Sequence, residues 1–213
     1  MALLNANFMG LYALNALGTS PYVIGVGANL AAAESDAWTK LGSTTGYAIL
    51  VDEDDDVYES DVTTDAPAIV IQTSATAHTA AGLNLLAAAT STSLDLNNAQ
   101  TEVVARDGAC GSETFLVSGA QDWSLQADGL IQTGSISGYG GMTLMDTARK
   151  GQYVLVRFVL NNQAMSADAD NDENVSYIGQ ALVENVNISG GFDDISTYSV
   201  TLNGYGKLYK FSA

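Results

Sequence analysis

Alternation with a period of two commits residues 177–208, YIGQALVENVNISGGFDDISTYSVTLNGYGKL, to β-structure. Tyr198, Val200 and Leu202 fall on one face of a strand over residues 197–203, with Thr197, Ser199 and Thr201 on the other. Upstream, over residues 177–189, the same count sets Leu182, Glu184, Val186 and Ile188 together, and residues 207–212 read as a closing strand. Between these runs Asp193 and Asp194 follow Gly190 and Gly191, a composition that favours a turn whose aspartates accept local backbone hydrogen bonds.

The rest of the chain carries the same signal. Apolar runs at 48–51 and 68–72 flank the acidic turn DEDDDVYESD and suit a hairpin. Residues 90–97 and 101–105 alternate, a Gly-rich loop follows at 106–113, and residues 114–118 return, so this region reads as one long hairpin. A turn is expected at Gly119 and a further strand at 122–131. The helix candidate is MTLMDTARK, residues 142–150, with Leu144, Met145 and Ala148 on one face, basic residues at its C-terminal end and Gly151 placed to stop it. Residues 153–160, YVLVRFVL, read as a strand buried on both faces. The expected fold class is mainly β: an antiparallel β-sandwich or barrel of roughly eight to ten strands with one short flanking α-helix. A length of 213 residues suits one integrated domain, divided here into an N-terminal arm with extra strands over 1–84, including the acidic loop at 52–61, and a β-sandwich over 85–213.

Charge narrows the function. Seven Lys and Arg stand against 24 Asp and Glu, a net charge of −17. Groove or phosphate-backbone binding draws its affinity from cations and is disfavoured. No charged side chain precedes Glu34, and Lys40 is the one basic residue before Arg106. An uncharged opening of that length implies burial in the subunit or against neighbours, and residues 1–42 are expected to order on assembly. The opening lacks the basic residues of an export signal, and no apolar run is long enough to span a bilayer. The single Cys110 excludes an internal disulfide.

Catalytic chemistry has little to draw on. His78 is the one histidine, set in a small-residue loop, TSATAHTAAG; with Cys110 it cannot fill a zinc site. GYGGM from Gly138 lacks the Gly-Lys-Ser/Thr of a phosphate loop. Asp168, Asp170 and Asp172 match the first ligand positions of a calcium loop, but Glu173 stands where a glycine is required and Gly179 where a bidentate Glu is required. The acidic run from Asp52 fails at the same positions, and both read as solvated acidic loops. No catalytic residue, metal site or cofactor is assigned, and the chain is not expected to be an enzyme.

The segment ISGGFDDISTYSVTLNGYGKL resembles the C-terminal signature of the major tail tube proteins of long-tailed bacteriophages, carried here by Asp193, Asp194, Ile195, Thr197, Tyr198, Ser199, Leu202, Gly204, Gly206 and Leu208. Tyr177, Gly179 and Ala181 match the family's preceding Tyr-x-Gly-x-Ala strand, and SGAQDWSLQADGLI, with Trp123 and Gly129, its Trp-Ser strand. TSTSLDLNNAQTEVVARDG resembles the strand and stack-forming loop, which makes Arg106, Asp107, Gly108 and Gly111 the candidate inter-ring loop, and RKGQYVLVRFVL resembles the helix end and following strand. The likeness covers residues 85–208; the first 80 or so depart from it.

The resemblance implies a fold of two packed sheets with a flanking helix, shared with type VI secretion tubes. It also implies a virion subunit, assembled in the host cytoplasm, that forms hexameric rings stacked into a hollow conduit for double-stranded DNA. Its expected partners are itself, the tape measure, terminator and distal tail proteins and, transiently, DNA, with no membrane anchor. An acidic lumen follows, with Lys and Arg at subunit contacts. Two other readings remain open: a different virion β-sandwich, such as a capsid decoration or tail terminator protein, and an acidic calcium-binding β-sandwich module.

Overall fold

The computed structural model describes residues 10–14, 20–42, 47–60, 67–71, 76–78, 83–86, 89–107, 111–131, 141–159, 175–190 and 195–212. Among these residues eleven strands and two helices follow one another as β1 (Gly10–Leu14), β2 (Val23–Val26), α1 (Leu30–Leu41), β3 (Tyr47–Val51), β4 (Ile69–Ile71), β5 (Thr76–His78), β6 (Leu83–Leu85), β7 (Ala89–Asp107), β8 (Gly111–Leu130), α2 (Gly141–Lys150), β9 (Tyr153–Val159), β10 (Val175–Ser189) and β11 (Thr197–Ser212). They build a seven-stranded sheet, β6-β1-β9-β10-β11-β8-β7, and a four-stranded sheet, β2-β3-β4-β5. Neither closes into a barrel. The expected pair of packed sheets is present.

Side-chain parity sorts the molecule into four layers, α2, large sheet, small sheet and α1. On β9, Val154, Val156 and Phe158 enter a core with Leu144 of α2, while Leu155 enters a second core with Ile49 and Val51 of β3. On β3, Ala48 and Leu50 turn the other way and meet Ala33, Ala37 and Leu41 of α1. Both faces of β9 and β3 are therefore buried, which explains their near-continuous apolar sequences.

α1 is the main departure from the sequence-based expectation, which placed one helix in the chain and an assembly-dependent arm over residues 1–42. Asn29 caps it by accepting from the Ala32 N–H at 3.0 Å, and Asp36 pairs with Lys40 one turn on at 2.6 Å. It links β2 to β3, which run parallel, as a β-helix-β crossover. Close contact explains the small residues here: a Cβ at Gly25 would lie 2.3 Å from the Ala33 carbonyl oxygen. Residues 20–42 are folded within the subunit. The segment is also tied to the large sheet, because the Tyr22 N–H donates to Gln180 Oε1 at 2.7 Å and Gln180 Nε2 donates to the Tyr22 carbonyl at 3.2 Å.

Other expectations meet specific corrections. β3 and β4 form the expected hairpin, with Ala48 opposite Val70. Gly119 does not turn the chain; β8 is continuous, and the register shift between Asn98 and Gln100 leaves an extra β8 residue between Gln121 and Ser118. Such a bulge suits a glycine in a strand. His78 lies not in a loop but at the end of β5, opposite Ile69. On β10 a register shift between Val183 and Asn185 moves the core-facing set from Ala181 and Val183 to Val186 and Ile188, so Leu182 does not share their face and Glu184 is the extra residue outside the register. α2 ends at Gly151, φ 62°, as the sequence implies, but it buries Gly141, Leu144 and Thr147 and leaves Met145 exposed.

Candidate assembly surface

Among the described residues, one half of the large sheet has no layer on the face opposite α2. There the C-terminal half of β10, the N-terminal half of β11, and β8 and β7 lie side by side, all antiparallel. Tyr198, Val200 and Leu202 point into the α2-side core, as their alternation requires, together with Trp123, Leu125 and Ala127 of β8. Their strand neighbours therefore point the other way: Thr197, Ser199, Thr201 and Asn203 on β11, Asp122, Ser124, Gln126 and Asp128 on β8, and Ser91, Ser93, Asp95 and Asn97 on β7. Past its bulge β10 adds Asn185, Asn187 and Ser189.

This face is polar, and its formal charges are carboxylates. The Lys and Arg residues with described side chains lie elsewhere. Lys40 sits on α1, and Arg149 and Lys150 both pair with Asp146 on α2. Arg157 stacks 5.1 Å above Phe211, and Lys207 reaches Asp55 at 2.6 Å. Lys210 lies opposite Tyr177 near the end of β11. Lys150 and Arg149 hold the Asp146 carboxyl below the usual carboxylate range. Asp55 holds the Lys207 ammonium above its usual range.

The acidic turn is a clip rather than a free loop. Asp52 Oδ1 accepts from the Asp54 and Asp56 N–H groups, both at 2.9 Å, and Val57 donates to the Lys210 carbonyl at 2.8 Å. Its carboxylates thus shape the turn and anchor it to β11.

Two edges bound the polar face. On one side β7 pairs, among the described residues, with β8 only. On the other, β9 covers β10 from Ser176 to Leu182, and no strand among the described residues pairs beyond that point. A third feature is the far part of the β7–β8 hairpin. β11 accompanies β8 from Leu130 to Ser124, after which the hairpin continues from the Asn98–Gln121 pair to the Asp107–Gly111 pair with no further strand paired to it among the described residues. At about 3.3 Å per residue this arm is about 30 Å long.

The sequence-derived residues fall into two groups. Trp123, Gly179, Gly204 and Gly206 converge: the indole N–H donates to the Gly206 carbonyl at 3.0 Å, and Gly179 and Gly204 give the ring room. Gly129 lies beside Tyr198 in the β8–β11 register, and Tyr177 lies between Phe158 and Lys210. Arg106 and Asp107 stand at the end of the arm, opposite Ser112 and Gly111. Gly108, Asp168, Asp170, Asp172, Asp193 and Asp194 lie outside the described residues, as does Cys110. Among the described residues no group of three or more His, Cys, Asp or Glu is placed to hold a metal ion. Sequence reasoning missed the two open edges; the strand pattern holds no mark of which strand is outermost.

No curated protein matches the chain. Among solved structures, a chain from the tail of an empty gene transfer agent (GTA) particle, refined with C6 symmetry, aligns at 14% identity and TM-score 0.44, covering 62% of this chain and 87% of that one. The SPP1 tail tube aligns at 16% identity and TM-score 0.45, over 74% of this chain and 75% of its own. The baseplate of the anti-feeding prophage aligns at 12% identity and TM-score 0.39, over 60% and 83%. The family model described as phage tail tube protein matches residues 63–210. That match takes in α2 and all four strands of the polar face, and by it the chain belongs to the phage tail tube protein family, as a structural subunit of a tail tube.

Proposed function

We propose that six copies close edge to edge into a ring, that rings stack into a tube, and that the polar face of β10, β11, β8 and β7 lines a conduit for double-stranded DNA. The observation that carries this reading is the pair of open edges. Unpaired strand edges invite uncontrolled association, and pairing β7 of one copy with the C-terminal half of β10 of the next removes both. Strand direction supports it. Four strands is an even number, so a β7 edge meets a β10 edge running the opposite way and the antiparallel pattern continues around the ring.

Such a barrel turns Asp95, Asp122 and Asp128 of each copy toward the lumen, with no described Lys or Arg among them. Carboxylates repel phosphates, while Ser, Thr, Asn and Gln hold water, so DNA passes without finding counterion-releasing contacts. α2 then lies on the outer side of the sheet, and residues 85–213 supply most of the tube-forming sheet. The β7–β8 arm, with Arg106, Asp107, Gly108 and Gly111 at or beside its tip, reaches the adjacent ring. Tape measure, terminator and distal tail proteins are the partners at the tube's ends.

Electron microscopy of the purified protein at high concentration tests the reading. Sixfold rings or tubes with the β8 aspartates facing the channel are expected. Rings in which this face lies outward, or a basic channel wall, overturn it.

A further inference from the structure

We infer that Leu96 on the β7 edge of one copy docks against Met142 and Met145 on α2 of the next copy, a contact that rests on the edge-to-edge closure proposed above. These residues are conspicuous as large apolar side chains left in solvent: Leu96 is 58% exposed, Met142 60% and Met145 41%. They sit at opposite ends of the same four strands. Leu96 lies opposite Trp123 in the register, so it is on the face that carries α2, and β7 is the outer strand. α2 packs on that same face through Leu144.

The flank of α2 on which the methionines lie follows from handedness. The Leu86 N–H donates to the Leu11 carbonyl at 2.8 Å, and both side chains enter the α2-side core. For L-residues this fixes the hand of the sheet: seen from the α2 side with β10 pointing up, β11 is on the left and the open edge on the right. α2 runs down in that view, because Gly141 touches Tyr198 at the start of β11 and the helix ends just before β9. A right-handed helix advances about 100° per residue, so Met145, next after the buried Leu144, turns to the right, toward the open edge, with Met142 beside it. A neighbouring β7 laid along that edge presents Leu96 to this flank.

Chemistry favours the same partner. Leu94 and Thr92, which share Leu96's face of β7, carry no charge, and Met142 and Met145 offer adaptable thioether surface. The contact is heterologous, each copy giving Leu96 on one side and its methionines on the other, so it propagates around a ring instead of ending at a dimer.

Cross-linking tests it. In a Cys110→Ser background, Leu96→Cys combined with Met145→Cys, treated with a short bis-maleimide under assembly conditions, is expected to give a covalent ladder ending at six copies. Each single-cysteine variant is expected to stay monomeric on a denaturing gel. A double variant that forms rings by electron microscopy yet yields no ladder overturns the contact and leaves ring closure standing. Protein that forms no rings at any concentration overturns closure, and the contact with it. In a second arm, Leu96→Glu is expected to raise the concentration needed for assembly at least about tenfold, with Met145→Lys in the same chain recovering part of the loss. An unchanged assembly concentration with an unchanged urea midpoint contradicts the inference.

Discussion

Trp123 lies directly against Gly204: a Cβ on that glycine would fall 2.1 Å from Cε2 of the indole, and the indole N–H donates to the carbonyl two residues further on, at Gly206. Gly179 clears the other end of the ring, where a Cβ would approach Cζ2 to 2.5 Å. The glycines of the C-terminal segment are thus the mould for one buried aromatic on β8, and they join three strands around it.

Gly204→Ala is expected to lower unfolding stability by about 3 kcal/mol, because the ring must leave its site in a packed core. Urea denaturation reads this directly. Trp123→Phe is costly alone, by about 2 kcal/mol, but in combination with Gly204→Ala the losses are expected to add to less than their sum. Full additivity in the double-mutant cycle contradicts the packing relationship.

Tyr198 gives a pH dependence. Burial, with a smaller contribution from the Asp128 charge, pushes its phenol up to about 12, against about 10 in an unfolded chain. Its contribution to stability is whole below about pH 10, where the phenol is protonated in both states, and is lost as pH rises toward 12, because the unfolded chain ionises first. The loss amounts to about 3 kcal/mol at the upper end. Tyr198→Phe is expected to flatten much of the fall in urea midpoint over this window. The remaining slope includes Tyr209, raised by burial and then by Asp55. A variant that falls as steeply as the parent removes Tyr198 from the account.

What the sequence disclosed about the fold depended on how local the cause was. Tyr198, Val200 and Leu202 are all buried on one face because an unbroken strand keeps its parity. Plain alternation puts Leu182 on the wrong face, because the single extra residue in β10, Glu184, leaves no compositional trace. α1 was hidden by its small residues. Ala33 and Ala37 contribute little to a hydrophobic pattern, and they are small because α1 lies close on β2 at Gly25, a tertiary cause. The candidate assembly surface was legible as polar alternation, but its open edges depend on the order β6-β1-β9-β10-β11-β8-β7, which non-local pairing decides.

The aspartates of the polar face give a prediction about DNA. Replacing Asp95, Asp122 and Asp128 together with Lys changes the formal charge of this face by six units per copy and supplies cations where phosphates are expected to pass. Tubes of this variant are expected to retain short duplex DNA at low salt and release it as salt rises; parental tubes are expected to retain none. Gel retardation over a salt series distinguishes the two. Equal retention by both tubes removes this face from the conduit.

The β7–β8 arm separates ring closure from stacking. Beyond the Asn98–Gln121 pair neither strand has a further partner among the described residues, so the arm adds nothing to the sheet on β11's side. Removing residues 99–120 and joining Asn98 to Gln121 through Asn-Gly keeps a hairpin, because a two-residue turn matches the twist of paired strands. The parts of β8 beside β11 and of β7 beside β8 remain, as do both open edges and Leu96. The shortened protein is therefore expected to fold with little change in urea midpoint and to form sixfold rings that do not grow into tubes. Electron microscopy and sedimentation velocity score the outcome. Tubes as long as the parent's would show that stacking does not use the arm. Loss of rings with the fold intact would mean that the arm belongs to the contact around the ring.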